Sequence, residues 1–330
     1  MQMKVVVQIP CLNEEEQIAR TIADIPRRIP GVDSVQVLVI DDGSRDDTFG
    51  VAKRAGADRI IRFRHRQGLA TAFKTGLDVA LTMGADIIVN TDADNQYPGS
   101  EIPRLIAPIL NGKADMVVGV RKIREISEFS TLKKILQKIG SRLVQTISNT
   151  SISDVTSGFR AYNRRAALQL NVISLFTYTL ETIIQAGKKN IAIDTVAIER
   201  NEKIRESRLF RSTPIYLKRS LATILRIFVT YEPLRVFFYL GMFIFSLGIL
   251  LGARFLYFYF TISGSTGHVQ SLIMMAVFLF IGFLLLMIGL IADLISANRR
   301  LIEDAVIRLK RIELHLGTRD RVSDEYVSED

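Results

Sequence analysis

The 330 residues include no tryptophan, one cysteine and three histidines. A single cysteine, Cys11, permits no internal disulfide, so the fold needs no oxidising compartment. His65, His268 and His315 fall in a loop, in a short link between two apolar runs and in the tail, so no histidine stands out as a general base. No GxGxxG follows the first β-rich run and no GxxxxGK[ST] occurs anywhere, which removes the Rossmann and P-loop phosphate cradles. A nucleotide would have to be held by carboxylates, a metal and basic side chains. Between Met1 and the first strand there is no apolar core of a signal peptide, so the N-terminal part is expected to stay in the cytoplasm. The formal charge of +9 suits an anionic partner. Nucleic acid is the poorer choice, because the basic residues cluster beside apolar runs and not beside stacking aromatics.

What is present is organised around Gly84–Gly99, GADIIVNTDADNQYPG. Ile87, Ile88 and Val89 read as a strand buried on both faces, and the run ends in Asp92, Asp94, Asn95 and Gln96. In an open α/β sheet that position, beyond the carboxyl end of a strand, is where ligands bind. Two carboxylates two residues apart offer hard oxygen ligands suited to Mg²⁺ or Mn²⁺, ions that share their shell with substrate phosphates. The same acids would also serve as helix caps, with Asp94 or Ser100 as the cap.

In chain order, Val5–Ile9 reads as a strand, with Asn13 as cap of a helix starting at Glu14. Val35–Ile40 is a second strand, ending in Asp41-Asp42-Gly43-Ser44. Asp46, Asp47 and Thr48 start a helix that runs to about Ala55. Arg59–Phe63, Gly68–Leu81 and Met116–Val120 read as strand, helix and strand, with a further helix after Pro103. Alternation with short connections predicts an α/β fold with a doubly wound, mostly parallel sheet. Three strands then end in polar or acidic clusters, Asn13/Glu14, Asp41/Asp42 and Asp92/Asp94, which such a sheet would bring to one edge.

Lys122–Asp154 reads as a loop and a helix carrying Lys133, Lys134, Lys138 and Arg142. Arg160 suits an ion pair or a ligand, and Glu181 lies in a helical pattern as a surface acid or a site residue. After a strand at Ile191–Ile198, Lys203, Arg205 and Arg208 form a compact cationic cluster suited to a phosphate. Residues 211–234 read as a juxtamembrane amphipathic helix with Leu217, Leu221, Ile224, Leu225 and Phe228 on one face. Val236–Ala253, extended to Phe260, and Leu272–Ala292 are each long enough to span a hydrocarbon core of about 30 Å. Arg235 precedes them, and Arg299, Arg300, Arg308, Lys310 and Arg311 follow. This predicts a transmembrane hairpin over 235–298 with both ends in the cytoplasm and a cytoplasmic tail over 299–330. Gly248 and Gly252 form a GxxxG that would pack the hairpin or join a second subunit in a homo-oligomer.

Taken together, Pro10-Cys11-Leu12-Asn13-Glu14, Asp41-Asp42-Gly43-Ser44, Arg66-Gln67-Gly68-Leu69-Ala70-Thr71-Ala72, Asp92-Ala93-Asp94-Asn95-Gln96 and Ser157-Gly158-Phe159-Arg160 stand in one order. In that order residues 4 to 210 resemble the GT-A, family 2 inverting glycosyltransferases of the polyprenyl-phosphate type, dolichol-phosphate mannosyltransferase among them. The resemblance implies a catalytic domain over 1–210 that moves a sugar from a nucleotide-diphosphate sugar to a polyprenyl phosphate in the bilayer. It implies nucleotide contacts at Pro10, Leu12, Glu14, Ile40, Asp42 and Ala93. Asp92, Asp94 and Gln96 would hold metal and diphosphate, and Arg121 would meet the phosphates. Lys133, Lys134, Lys203, Arg205, Ser207 and Arg208 would meet the acceptor phosphate. Leu12 stands where the family commonly has tyrosine, and Arg205 where it has glycine. A processive polysaccharide synthase of the same fold is disfavoured, because its Gln-x-x-Arg-Trp motif needs a tryptophan. A membrane scaffold that binds nucleotide-sugar or lipid without turnover is the remaining alternative.

Overall fold

A computed structural model describes residues 2–121, 154–172, 178–201, 231–261 and 269–316, with Gln145, Ile152 and Val229 as isolated positions. The described residues form two compact units, one drawn from Met1–Arg211 and Val306–Asp330, the other from Ser212–Ala305.

The first unit is a seven-stranded sheet with helices. Its elements are β1 (Lys4–Cys11), α1 (Ile18–Asp24), β2 (Ser34–Asp41), α2 (Thr48–Arg54), β3 (Arg59–Arg62), α3 (Leu69–Thr82) and β4 (Ile87–Asn90). Then come α4 (Ile102–Leu110), β5 (Met116–Arg121), β6 (Arg160–Asn163), α5 (Arg164–Gln169), α6 (Thr179–Lys188) and β7 (Ile193–Ile198). The sheet order is β3-β2-β1-β4-β6-β5-β7. β1, β2, β3 and β4 run parallel, as do β5 and β7. β6 alone is antiparallel, inserted between β4 and β5. The mostly parallel expectation therefore holds. The sequence pattern does not mark β6, whose four residues, Arg-Ala-Tyr-Asn, carry no apolar run.

The central strands are runs of β-branched residues with both faces covered. Val5, Val6, Val7, Val37, Val39, Ile87, Ile88 and Val89 have essentially no exposed surface. Each such side chain contributes roughly 1.5–3 kcal/mol through burial. The register matters for the site: Cys11 lies opposite Asp41, and Gln8 opposite Asn90. The last residues of β2, β1 and β4 therefore stand side by side, and the loops after them leave from one edge.

One helix start differs from expectation. α1 begins at Ile18, not Glu14, and Gln17 at its N-cap makes no side-chain cap bond. Asn13 takes a left-handed backbone, φ +55°, and its side chain instead accepts a hydrogen bond from Arg45 N at 2.9 Å. It ties two loops together where the sequence pattern suggested a helix cap.

The second unit holds α7 (Pro233–Thr261), and α8 (Val269–Leu316) starts in it. Both helices are long and apolar enough to cross a membrane. They pack through glycines. A Cβ on Gly248 would lie 3.0 Å from Leu279, one on Gly252 2.6 Å from the Met275 sulfur, and one on Gly282 2.8 Å from Phe245 N. The GxxxG face is thus used inside the hairpin. α8 continues as helix to Leu316, well past the expected start of a tail at 299. Its last turns, from Val306, belong to the first unit, where Lys310 Nζ bonds Asp78 Oδ1 at 2.7 Å.

Candidate active site

Three loops meet at the carboxyl edge of β2, β1 and β4. The first two are stitched together: Asn13 N donates to Ser44 Oγ at 2.9 Å, and Glu14 N to Thr48 Oγ1 at 2.8 Å. Gly43 turns the β2 loop with φ +74°, and a Cβ there would strike the His65 backbone at 2.8 Å. That close approach brings Asp42 to the start of α3. Its Oδ1 accepts from Gln67 N at 2.6 Å, and both its oxygens accept from Gly68 N at 3.0 Å. Burial raises the Asp42 pKa, against the pull of these two N–H groups and of the Arg66 charge. Asp41 beside it caps Ser44 N at 2.8 Å and faces Arg62 Nε at 3.4 Å.

The third loop, after β4, carries the acidic pair. Asp92 packs against the Ser157-Gly158-Phe159 turn so closely that a Cβ on Gly158 would lie 2.9 Å from Asp92 Oδ1. Only glycine leaves room for the carboxylate there. Burial, and then the neighbouring charge of Asp94, push the Asp92 pKa up to about 7. Tyr97, stacked on Phe159 at 5.2 Å, is pushed up to about 12 by burial and by Asp92. Asp94 Oδ1 accepts from Gln96 N at 3.2 Å, and its Oδ2 from Gln96 Nε2 at 2.6 Å.

Beneath this loop is a buried polar frame. Gln8 Nε2 donates to Asn90 Oδ1 at 2.8 Å. Asn90 Nδ2 donates to Gly158 O at 2.8 Å and to the Tyr178 hydroxyl at 2.9 Å. Tyr178 stacks flat on Phe73, with ring centroids 3.9 Å apart. Arg160 is fully buried and is neither an ion-pair partner among the described residues nor a surface ligand. Its guanidinium donates to the carbonyls of Ser157, Val155 and Thr179 and to Thr182 Oγ1. It holds the 155–158 turn against Asp92. Glu181 is buried rather than on a helix surface, and its Oε1 accepts from Gln185 Nε2 at 3.3 Å.

Arg121, at the end of β5, is held by Asp154: Nε donates to Oδ2 at 2.6 Å, and Nη2 to Oδ1 at 2.9 Å. Burial alone would raise the Asp154 pKa, but the hydrogen bonds and charge of Arg121 outweigh it and hold the carboxyl below its ordinary range.

Of the expected site residues, Glu14, Asp42, Asp92, Ala93, Asp94, Gln96 and Leu12 lie on the three loops, and Pro10 is buried near the end of β1, just before Cys11. Ile40 has no exposed side chain, and its Cδ1 lies against α3 near Gly76. The Ala93 carbonyl already accepts from Thr21 Oγ1 at 2.8 Å. Lys133, Lys134, Lys203, Arg205, Ser207 and Arg208 lie outside the described residues. Sequence reasoning missed two partners, Asp154 on Arg121 and Arg200 on Gln96. Asp154 sat in a turn, and Arg200 sat in a run of mixed charges, so neither carried a pattern. The donor set suits a divalent ion of the Mg²⁺ or Mn²⁺ type: Asp92 and Asp94 supply hard oxygens, and among the described residues no third His, Cys or acid joins them. The rest of such an ion's shell would come from phosphate and water.

The sequence pattern of Glycosyl transferase family 2 matches residues 6–170, half of the chain. The chain belongs to glycosyl transferase family 2. A second pattern, the GtrB C-terminal hairpin, matches residues 232–297 of this glycosyltransferase, over both apolar helices. It is 29% identical over 211 residues to the undecaprenyl-phosphate mannosyltransferase of Micrococcus luteus, covering 60% of this chain and 85% of that protein. It is likewise 29% identical to the UDP-N-acetylglucosamine–dolichyl-phosphate N-acetylglucosaminyltransferase of Methanococcus voltae, over 58% of this chain and 83% of that one. Among solved structures, glucosyl-3-phosphoglycerate synthase of Mycobacterium tuberculosis, solved with Mn²⁺ and UDP, shares the fold at 21% identity. Its TM-score is 0.53, over 69% of this chain and 80% of that one. The glycosyltransferase thus joins a GT-A sheet to a membrane-associated hairpin.

Proposed function

We propose that this enzyme transfers one sugar from a nucleotide-diphosphate sugar to a polyprenyl phosphate in the membrane, inverting the anomeric centre. The observation that carries the acceptor reading is the glycine-packed apolar hairpin in the same chain as the acidic edge of the sheet. Both named relatives act on lipid-linked phosphates, which supports the same class here. Arg235 before the hairpin and Arg299, Arg300, Arg308, Lys310 and Arg311 after it favour both termini and the catalytic unit on the cytoplasmic side.

The nucleotide lies against the loops of Pro10, Leu12, Glu14, Asp42 and Ala93, with the backbone at Ile40. Asp92 and Asp94 hold Mg²⁺ or Mn²⁺, which when bound offsets the charge developing on the leaving diphosphate. Arg121, fixed by Asp154, turns its remaining N–H groups to the same phosphates. A phosphate monoester is mostly ionised near pH 7, its second pKa being about 6. Its oxygen therefore attacks the anomeric carbon without a general base, and the electron pair of the broken C–O bond leaves on the diphosphate. What the acceptor needs is cations, which Lys133, Lys134, Lys203, Arg205 and Arg208 supply with Ser207 beside them.

Incubating the full-length protein with labelled UDP- and GDP-sugars and undecaprenyl or dolichyl phosphate tests this. The expected product is a single sugar on the lipid phosphate, β-linked from an α-linked donor. Tight nucleotide-sugar binding without turnover would support the scaffold reading, and an α-linked product would remove the single-step mechanism.

A further inference from the structure

Past its apolar span, α8 keeps an apolar stripe that stays exposed. Ile295, Ile302, Leu309 and Leu316 recur every seven residues, and Asn298, Ala305 and Ile312 follow the first three of them by three residues. That is the a and d spacing of a coiled coil, and it runs back in the same phase through the span to Met274. Ile302 is 65% exposed, Leu309 58%, Ile312 53% and Leu316 73%. We propose that this stripe pairs with α8 of a second copy of the chain, as a parallel coiled coil beyond the bilayer. The inference rests on the reading of α7 and α8 as a membrane hairpin, and not on the sugar transfer.

The chain's own contacts use a different line on the same helix. A Cβ on Gly282 would meet Phe245 and one on Gly289 would meet Phe237, while Lys310 Nζ bonds Asp78 at 2.7 Å. Gly282, Gly289, the buried Glu303 and Lys310 stand whole heptads apart, all at position b. Lipid does not reach the end of the stripe. At about 1.5 Å per residue the 48 residues of α8 measure about 72 Å, against about 40–45 Å for a bilayer with its headgroups. In water, a row of large exposed apolar side chains marks an interaction face. Every copy of a membrane hairpin inserts the same way round, so a neighbour's α8 runs parallel and the stripe meets its own copy about a two-fold axis. The flanking charges agree with that direction. In a parallel pair Arg308, at g, stands opposite Glu313, at e of the next heptad, and such pairs of opposite sign set partner and register. Asn298, the single polar residue on the stripe, faces its copy, as lone polar residues that fix register do.

The test is the protein mass of the full-length chain in detergent, measured by light scattering, together with disulfide formation at introduced cysteines. Wild type should hold two chains. Leu309→Glu combined with Ile312→Glu, both at exposed positions, should halve that mass at micromolar concentration. Arg308→Glu alone should weaken the dimer, and adding Glu313→Arg should restore it. Ile312→Cys should link to its copy on oxidation with copper phenanthroline, whereas Asp304→Cys, at c on the outer side, should not. The native Cys11 is buried and gives no background. Monomeric wild type, a dimer that survives the double glutamate variant, or equal linking at 304 and 312 would overturn the inference. Shielding of Ile312→Cys from a water-soluble maleimide in a monomer would give the stripe to the bilayer surface or to the chain itself, and would overturn it too. Failure of the hairpin reading looks different: wild type would then stay in solution without detergent.

Discussion

The two units bury opposite things. In the sheet, the buried side chains are large: Ile9, Leu38, Ile40, Phe73, Phe159 and Tyr178 have almost no exposed surface. In the hairpin, α7 buries Pro233, Gly241, Gly248 and Gly252, while Phe243 is 62% and Phe260 78% exposed. The sheet forms in water, where burying apolar area is the main driving force. A helix pair in lipid gains nothing from hiding a phenylalanine, so close backbone approach through small residues holds it. The difference also explains where chemistry can be built. Buried polar groups in the sheet need partners, so Asp42, Asn90, Asp154 and Arg160 each sit in a defined set of hydrogen bonds.

The largest effect should come from the acidic edge. Asp94→Ala should reduce transfer at least about 10²–10³-fold, the typical loss when a group stabilising developing charge is removed, with an unchanged melting curve. Chelation of divalent ions should do the same to wild type. Full activity under either treatment would show that the first unit works without its acidic pair.

Next is the ion pair behind Arg121. Asp154→Ala removes one partner of a mostly buried pair, which should destabilise the first unit by about 3–5 kcal/mol. A smaller signature lies in the pH dependence. Because the folded-state pKa of Asp154 is depressed, its contribution is complete above the unfolded value of about 3.9 and is lost as pH falls through the lower folded one. Wild type should therefore lose stability on acidification below about pH 4, and Asp154→Asn should lose less. Parallel unfolding curves for the two proteins would contradict this.

Gly282→Leu reverses the test, since it targets the hairpin alone. A side chain there meets Phe245 N, and overpacking of this kind costs about 1–3 kcal/mol. Thermal stability in detergent should fall while nucleotide binding, measured by calorimetry, stays put. Smallest of all should be the kinetic effect of Glu181→Gln. A missing general base costs about 10²–10⁴-fold, and kcat should fall by less than that range.

Much of this was legible in the sequence. The strands that lead into Asn13, Asp42 and Asp92 carry their own apolar runs, and parallel register then fixes their neighbours. The apolar spans are long enough to read directly. What could not be read depends on contacts across the chain. Asn13 looked like a helix cap because capping is local, whereas its real partner is Arg45, 32 residues away. Arg160 suited an ion pair or a ligand, because only the fold surrounds it with carbonyls. Arg200 needed the return of β7 to the β4 loop, 104 residues from Gln96.

One measurement bears most directly on the claim that both units serve one reaction. Wild-type protein in bilayer nanodiscs should be given undecaprenyl phosphate, the matching alcohol without phosphate, or a short water-soluble prenyl phosphate, and kcat/KM compared. The account predicts a strong preference for the long-chain phosphate and no transfer to the alcohol. Equal rates on the alcohol, or on the short soluble phosphate, would contradict it.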